Sequence, residues 1–275
     1  AKSVAVPTLG AAAGDKVAAM NKTDAERLVA KAENLTNPIL YVQTALKVEP
    51  TAYNAENKTL TLDITPQYRI VASTADKADD IQLSGNSKNA QVVQDYQKLT
   101  ITAPTVVTMK LPTVFVADGV DKLSIKHTKD NGTVEYYTGV VSADGKSVTF
   151  TTKGFSPFTI SAPAASIGET MYPTLAEAIA KAANGNTVEL EKDCTESVTV
   201  SGKSLTINKN NHEYDFAKVT VDSNSTKTVS GDGKILTITY TAPSYSSGSS
   251  SDPTYSVSTP SKTEHGSVTV SPKSA

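Results

Sequence analysis

Residues 166–190 read SIGETMYPTLAEAIAKAANGNTVEL, the clearest helical pattern in the chain, set between two β-patterned regions. Thr174 followed by Glu177 forms a capping box: the threonine hydroxyl accepts from an amide of the first turn, and the glutamate reaches back to the cap amide. Leu175, Ala178, Ile179 and Ala182 recur on one helical face. Lys181 suits the negative end of the helix dipole, and Asn184-Gly185 predicts a left-handed stop. The face is largely alanine, so the helix can lie close against another element while burying little area.

Beyond Gly185 the period changes from helical to alternating. Val188 and Leu190 point one way, Thr187, Glu189 and Glu191 the other. Val198 with Val200, and Leu205 with Ile207, repeat the pattern on either side of a Ser201-Gly202-Lys203 turn. The pattern continues through Tyr214, Phe216, Val219 and Val221 to Ile235–Tyr240, with Gly231-Asp232-Gly233 as the last tight turn. A helix laid over the open end of such short strands protects their edge.

Ile167-Gly168, Tyr172, Thr174-Leu175, Glu177-Ala178-Ile179, Gly185, Thr187-Val188 and Leu190 together resemble a recurrent segment of large surface proteins in Gram-positive bacteria, especially gut clostridia. The resemblance implies an extracellular, strand-rich, β-helix-like module and brings no catalytic residue with it. A second resemblance rests on Asp144-Gly145-Lys146, Val148, Phe150, Thr152, Phe155-Ser156 and Phe158. These are similar to the last hairpin of immunoglobulin-like domains in bacterial surface proteins; a generic hairpin of the kind β-sandwiches reuse accounts for the same residues. Residues from Thr254 onward resemble the opening of a repeated surface-protein module that often precedes S-layer-homology domains. That implies the cell wall as partner, reached through an anchor beyond Ala275.

The first β region runs from Ile39 to about Ile160. Leu60, Leu62 and Ile64 alternate with polar residues, as do Leu99 with Ile101 and Leu123 with Ile125. Asp130-Asn131-Gly132 and Ala143-Asp144-Gly145-Lys146 predict two hairpins, the first leading into Val134–Val141 and the second into Val148–Thr152. A closing strand follows over residues 154–160. Many short strands, each with one apolar face, predict a β-sandwich. Ahead of them, Ala1 to Asp15 reads as a flexible lead. Thr23 and Glu26 form a capping box for a short helix carrying Ala25, Leu28, Val29 and Ala32, ended by Asn34 and Asn37-Pro38. Such a helix is marginal alone and must dock on the strands.

These readings divide the chain into a lead and short helix (1–38), a β-sandwich of immunoglobulin-like type (39–163) and a helix-capped, β-helix-like module (164–243). A Ser/Gly linker (244–253) and the start of a truncated β module (254–275) follow. The fold class is mainly β. The tail's strands, near Val257 and Ser267–Val270, lack a second layer and are expected to borrow one, from the preceding module or by strand addition to another copy or another protein.

A net charge of −2, with Arg27 and Arg69 as the only arginines, leaves no basic footprint for nucleic acid. No apolar run is long enough to span a membrane. Cys194 is the only cysteine, which fits the cytosol or a Gram-positive surface protein alike; the start at Ala1-Lys2-Ser3 reads as a mature or trimmed form. His127, His212 and His265 fall in separate segments, so no zinc spacing exists, and His127 is expected to be a solvated strand residue. Asp118, Asp121, Asp130, Asp144 and Asp232 sit in turns, where backbone chemistry explains aspartate as readily as calcium does. Glu189, Glu191, Asp193 and Glu196 are the carboxylates a polysaccharide-cleaving enzyme would draw on, but the alternation puts most on an outward face. One of Tyr136 and Tyr137 is expected to be exposed, where it could stack on a sugar. Cys194 lies in a turn-like run and is expected to be partly exposed and dispensable.

No catalytic, cofactor-binding or metal residue is assigned. The expected function is a non-catalytic structural or adhesive segment of a secreted, wall-associated bacterial surface protein, with other copies of itself, a glycan or a host surface as candidate partners. A carbohydrate-binding module is the alternative, and a polysaccharide-cleaving enzyme a more distant one.

Overall fold

The computed structural model describes residues 7–112, 115, 119–155 and 157–243. The linker, the tail, Asp118, Ser156 and His265 lie outside the described residues. The described residues up to Tyr240 belong to one compact unit, and the fold is mainly β.

Two long strands, β1 (Ile39–Asn54) and β2 (Thr59–Ser73), form an antiparallel hairpin. On its other side β2 pairs first with β8 (Phe158–Ser161) and then with β3 (Ala90–Lys98). From β8 the sheet continues through β5 (Lys122–Thr128), β6 (Val134–Val141) and β7 (Ser147–Thr152) to β4 (Thr105–Lys110). All these pairs are antiparallel and hydrogen bonds join them in one eight-stranded sheet. The sheet curls, so that Leu60, Leu62 and Ile64 of β2 share a core with Val107 and Met109 of β4, Ile125 of β5, Phe150 of β7 and Phe158 of β8. Both predicted hairpins are present, with Gly132 and Gly145 at positive φ. The strand expected over Leu99 and Ile101 is not: β3 ends at Lys98, and Leu99 is buried in a loop that receives the first helix.

The even-numbered face of β2 is buried along its length by two different covers. The curled sheet covers Leu60 to Ile64, and helices α1 (Pro7–Ala18) and α2 (Lys22–Ala30) pack near Ile70 and Ala72. The expected flexible lead is therefore corrected from Pro7 onward. Gly10, Gly14 and the alanines mask a thin stripe: Leu9 and Ala13, one turn apart, are fully buried against Leu99, and Val17 follows a turn later. The cap of α2 is also corrected, from Thr23 to Asn21. Asn21 Oδ1 accepts the Asp24 amide at 2.8 Å and its Nδ2 donates to Asp24 Oδ2, so an Asn–Asp box closes the turn. Docking of α2 is as expected: Leu28 and Ala32 sit against Ile70 and Val93.

After Ser161 the chain enters a six-stranded sheet of β9 (Ala165–Ile167), β10 (Thr170–Tyr172), β11 (Thr187–Leu190), β13 (Leu205–Asn208), β15 (Ser225–Val229) and β16 (Ile235–Tyr240), with α3 (Leu175–Lys181) between β10 and β11. A two-stranded sheet joins β12 (Val198–Val200) to β14 (Val219–Val221). Here β11 runs parallel to β13, Val188 opposite Ile207, and β12 parallel to β14, Val198 opposite Val219. Ser201-Gly202-Lys203 is thus a corner between sheets, not a hairpin turn. The apolar alternation read from the sequence faces a second core under α3.

Truncating Leu9 tests the N-terminal correction. Leu9→Ala is expected to lower stability by about 2–4 kcal/mol, as for other fully buried leucines, read as a lower urea midpoint at constant m. A flexible lead would leave the midpoint unchanged.

Candidate functional site

Polar residues converge most densely where β5 and β6 meet α3 and β10. The outward residues of these strands, Ser124, Lys126, Tyr136 and Thr138, face the second β region. Thr174 caps α3, its hydroxyl accepting the Glu177 amide at 3.0 Å and donating to Glu177 Oε2. The other carboxylate oxygen of Glu177 accepts from Lys126 Nζ at 2.5 Å and Tyr136 Oη at 2.8 Å. Burial alone would raise the Glu177 pKa, but the bonds from Lys126, Tyr136 and Thr174 outweigh it and hold the group below its usual range. Burial, then Glu177, pushes the Tyr136 phenol well above its ordinary value. The Tyr136 ring lies 4.9 Å from that of Tyr172, Lys181 Nζ donates to Val134 O, and Ser124 Oγ donates to Met171 O.

The two ends of α3 are finished by residues distant in sequence. Glu196 accepts the amides of Leu175 and Ala176, and Lys203 Nζ donates to the carbonyls of Ile179 and Ala182. The helix stops at Lys181 because Ala182 turns extended. Gly185, at positive φ, serves the turn into β11 rather than the helix stop expected of it.

A second cluster lies at the hairpin end of β5 and β6. His127 is 1% exposed, stacked 4.6 Å from Phe158, with Nδ1 3.5 Å from Glu135 Oε2. The solvated strand residue expected there is corrected: the inward alternation of Leu123 and Ile125 carries on through position 127. Glu135 accepts from Lys129 Nζ at 2.6 Å and from the Tyr137 hydroxyl. These bonds bring the Glu135 pKa down to about 2, while burial lowers that of His127 against the pull of Glu135. A shallow depression outside is lined by Glu135, Tyr136, Tyr137, Lys153, Tyr172 and Lys181, among others. A carboxylate so firmly ionised is a weak base, and the buried imidazole does not reach a ligand in that depression.

Neither tyrosine is exposed, contrary to expectation. Tyr136 packs on the second core and Tyr137 on the first, each half-buried and hydrogen bonded. The acidic residues of the second region are woven into the fold: Glu191 accepts from Ser166 Oγ, Asp193 from the Glu213 amide, and Glu196 from α3. Glu189 is half-buried within its sheet. Asp144 and Asp232 each accept a serine hydroxyl and a turn amide. Arg69 donates to Gln43 and lies over the Tyr96 ring, and His212 Nδ1 is 3.7 Å from Asp193. Among the described residues no three His, Cys, Asp or Glu side chains gather as metal ligands, and no helix is long and apolar enough to cross a membrane. Cys194 is buried at 8% exposure in the second core, which corrects the partly exposed thiol; its Sγ lies 3.9 Å from Glu196 Oε1, and its amide bonds Glu213 O and draws the turn inward.

Comparison with known protein families, with characterised proteins and with solved structures gives no match to this chain.

Stability should be level between about pH 7 and pH 8.5 and fall on both sides. The lowered His127 pKa means that the folded state favours neutral imidazole, so stability declines as pH drops below about 6.5. The lowered Glu177 and Glu135 values add a steeper loss below about 4.5; burial of the Cys194 thiol, which raises its pKa, brings a loss above about 8.5, and raised Tyr136 a further one above about 10. Urea midpoints across pH should show the mildly acidic limb vanish in His127→Phe; its persistence would assign it elsewhere. Separately, Cys194→Ser should cost about 1 kcal/mol, because the shorter hydroxyl fills the second core less well while it still has the partner of the thiol, the Glu196 carboxylate, within reach. A loss under about 0.5 kcal/mol would mark an ordinary surface position.

Proposed function

We propose that this chain is a rigid, non-catalytic segment of a secreted, wall-associated bacterial surface protein, with a structural or adhesive role. The observation that carries the reading is how the ionisable groups are used: Glu177, Glu196, Lys126 and Lys203 tie elements together, and Glu135 is held by Lys129 and Tyr137. A segment that holds something away from a cell needs stiffness between its parts, and polar side chains bonded across elements provide it. The likeness of residues 166–190 and of the tail to surface-protein modules supports the setting.

Within this reading the second region is β-helix-like. Support comes from the parallel pairs β11–β13 and β12–β14, in which like residues stack: Thr199 Oγ1 lies 2.8 Å from Thr220 Oγ1. The first region is immunoglobulin-like in its consecutive antiparallel hairpins around one core. The carbohydrate-binding alternative loses the exposed tyrosine that motivated it.

Protease treatment and antibody labelling of intact source cells test the setting. Labelled protein that disappears on brief external proteolysis is the expected result. Recovery only from the cytosol would contradict the proposal.

A further inference from the structure

Where β1 and β3 flank Arg69 of β2, the three strands present one exposed polar face. Arg69 stands opposite Gln43 of β1. On the β3 side the register shifts between Tyr68 and Ile70, so that Asp95 and Tyr96 together oppose Arg69. Such a bulge re-aims a side chain, and here the Arg69 guanidinium lies over the Tyr96 ring, its Cζ 4.9 Å from the centroid. Gln67 and Lys98, opposite each other, make the next row of the same face.

Several polar groups on this face are held in place yet left open. Arg69 Nε donates to Gln43 Oε1 at 2.9 Å, which fixes the guanidinium. Among the described residues its terminal nitrogens bond no acceptor, and no carboxylate, that of Asp95 included, comes within ion-pair distance. Arg27, the other arginine, is paired with Asp24. Lys98 likewise has no acid among the described residues, and the Gln43 amide nitrogen and the Gln67 side chain have no hydrogen-bond partner there. Tyr96 is 39% exposed.

Two cations without acids, in a chain of net charge −2, select an anion by charge complementarity. The planar arginine fork matches a carboxylate through two parallel bonds, and Gln43 and Tyr96 hold it ready, so little freedom is lost on binding. The neighbours select among carboxylates. The part of the Tyr96 ring that the guanidinium leaves open offers an apolar surface to the CH face of a pyranose, and the two side-chain amides suit its hydroxyls. An acidic peptide would use the strand edge, but β3 is bulged twice and carries Asp95 and Lys98, which discourage strand addition. We propose that this face binds a carboxylated sugar, a uronic or sialic acid residue of a glycan. Its carboxylate sits on Arg69 with Lys98 beside it, its ring lies against Tyr96, and its hydroxyls bond Gln43 and Gln67. The face is open, so a single sugar binds with a Kd on the order of a millimolar, and firm attachment needs several copies acting together. The inference gives the adhesive role a ligand class and rests on that reading for its use at the cell; the binding itself is a property of the purified chain.

Nuclear magnetic resonance titration of the full chain with trigalacturonate and with sialyllactose, each to about 10 mM, tests it. The Arg69 Nε–H signal and the Tyr96 ring should shift and saturate with at least one of the two acids, while the Arg27 signal stays still. Methyl-esterified trigalacturonate keeps the rings and loses the charge, and acetate keeps the charge and lacks a ring; each should bind about tenfold more weakly or worse. Arg69→Lys, which keeps the charge without the fork, and Tyr96→Ala should each weaken binding about tenfold, with amide signals away from the face unchanged. Failure of both acids to shift Arg69 would overturn the proposal. So would acetate or a Glu-rich peptide that binds as tightly as the sugars, or a Tyr96→Ala variant that binds as wild type does. None of these results bears on surface location, and recovery of the protein only from the cytosol would leave the titration as it stands.

Discussion

The Glu177 carboxylate is the charged centre of the seam that joins the halves of this protein. It completes the first turn of its own helix through Thr174 and accepts from Lys126 and Tyr136 on two strands of the large sheet. Its charge is partly removed from water, and three donors compensate it. A charge-assisted bond contributes about 1.5–3 kcal/mol, and losing one partner leaves the rest poorly matched. Together with Glu196 and Lys203 at the helix ends, this arrangement places α3, the roof of the second core.

The adjacent tyrosines of β6 show how one strand serves two cores. Tyr136 and Tyr137 point to opposite faces, as strand geometry requires. Tyr137 packs into the curled sheet and bonds Glu135, while Tyr136 packs under α3 and bonds Glu177. Such a sheet is buried on both faces over part of its area. Its polar outward residues are matched by donors and acceptors of the second region: Ser124 to Met171 O, and Thr138 to Glu169 O.

Local features were legible in the sequence. The α3 cap, the apolar faces of β2, β5 and β11 to β13, and the two hairpin turns all follow from spacing within a few residues. What stayed hidden depends on contacts between residues far apart in the chain. Lys126 and Tyr136 occupy polar positions of an alternating pattern, which reads as a solvent face until a second layer lies on it. His127 is polar at an inward position, and Cys194 sits in a turn-like run that a backbone bond to Glu213 folds into the core. Helix α1 has only a thin stripe, Leu9, Ala13 and Val17 with Ala12 beside them, which the small residues on its other faces mask. The parallel order of β11 with β13 was hidden for the same reason, since strand partners are chosen across the intervening β12.

If the Glu177 contacts make the two β regions one mechanical body, heat should unfold both together. Scanning calorimetry of the full chain measures this directly. The expected result is a single transition for the described body, with calorimetric and van't Hoff enthalpies equal, and in Glu177→Ala a lower midpoint or a split into two transitions. Two separate transitions in the unaltered protein, unmoved by Glu177→Ala, would contradict the account.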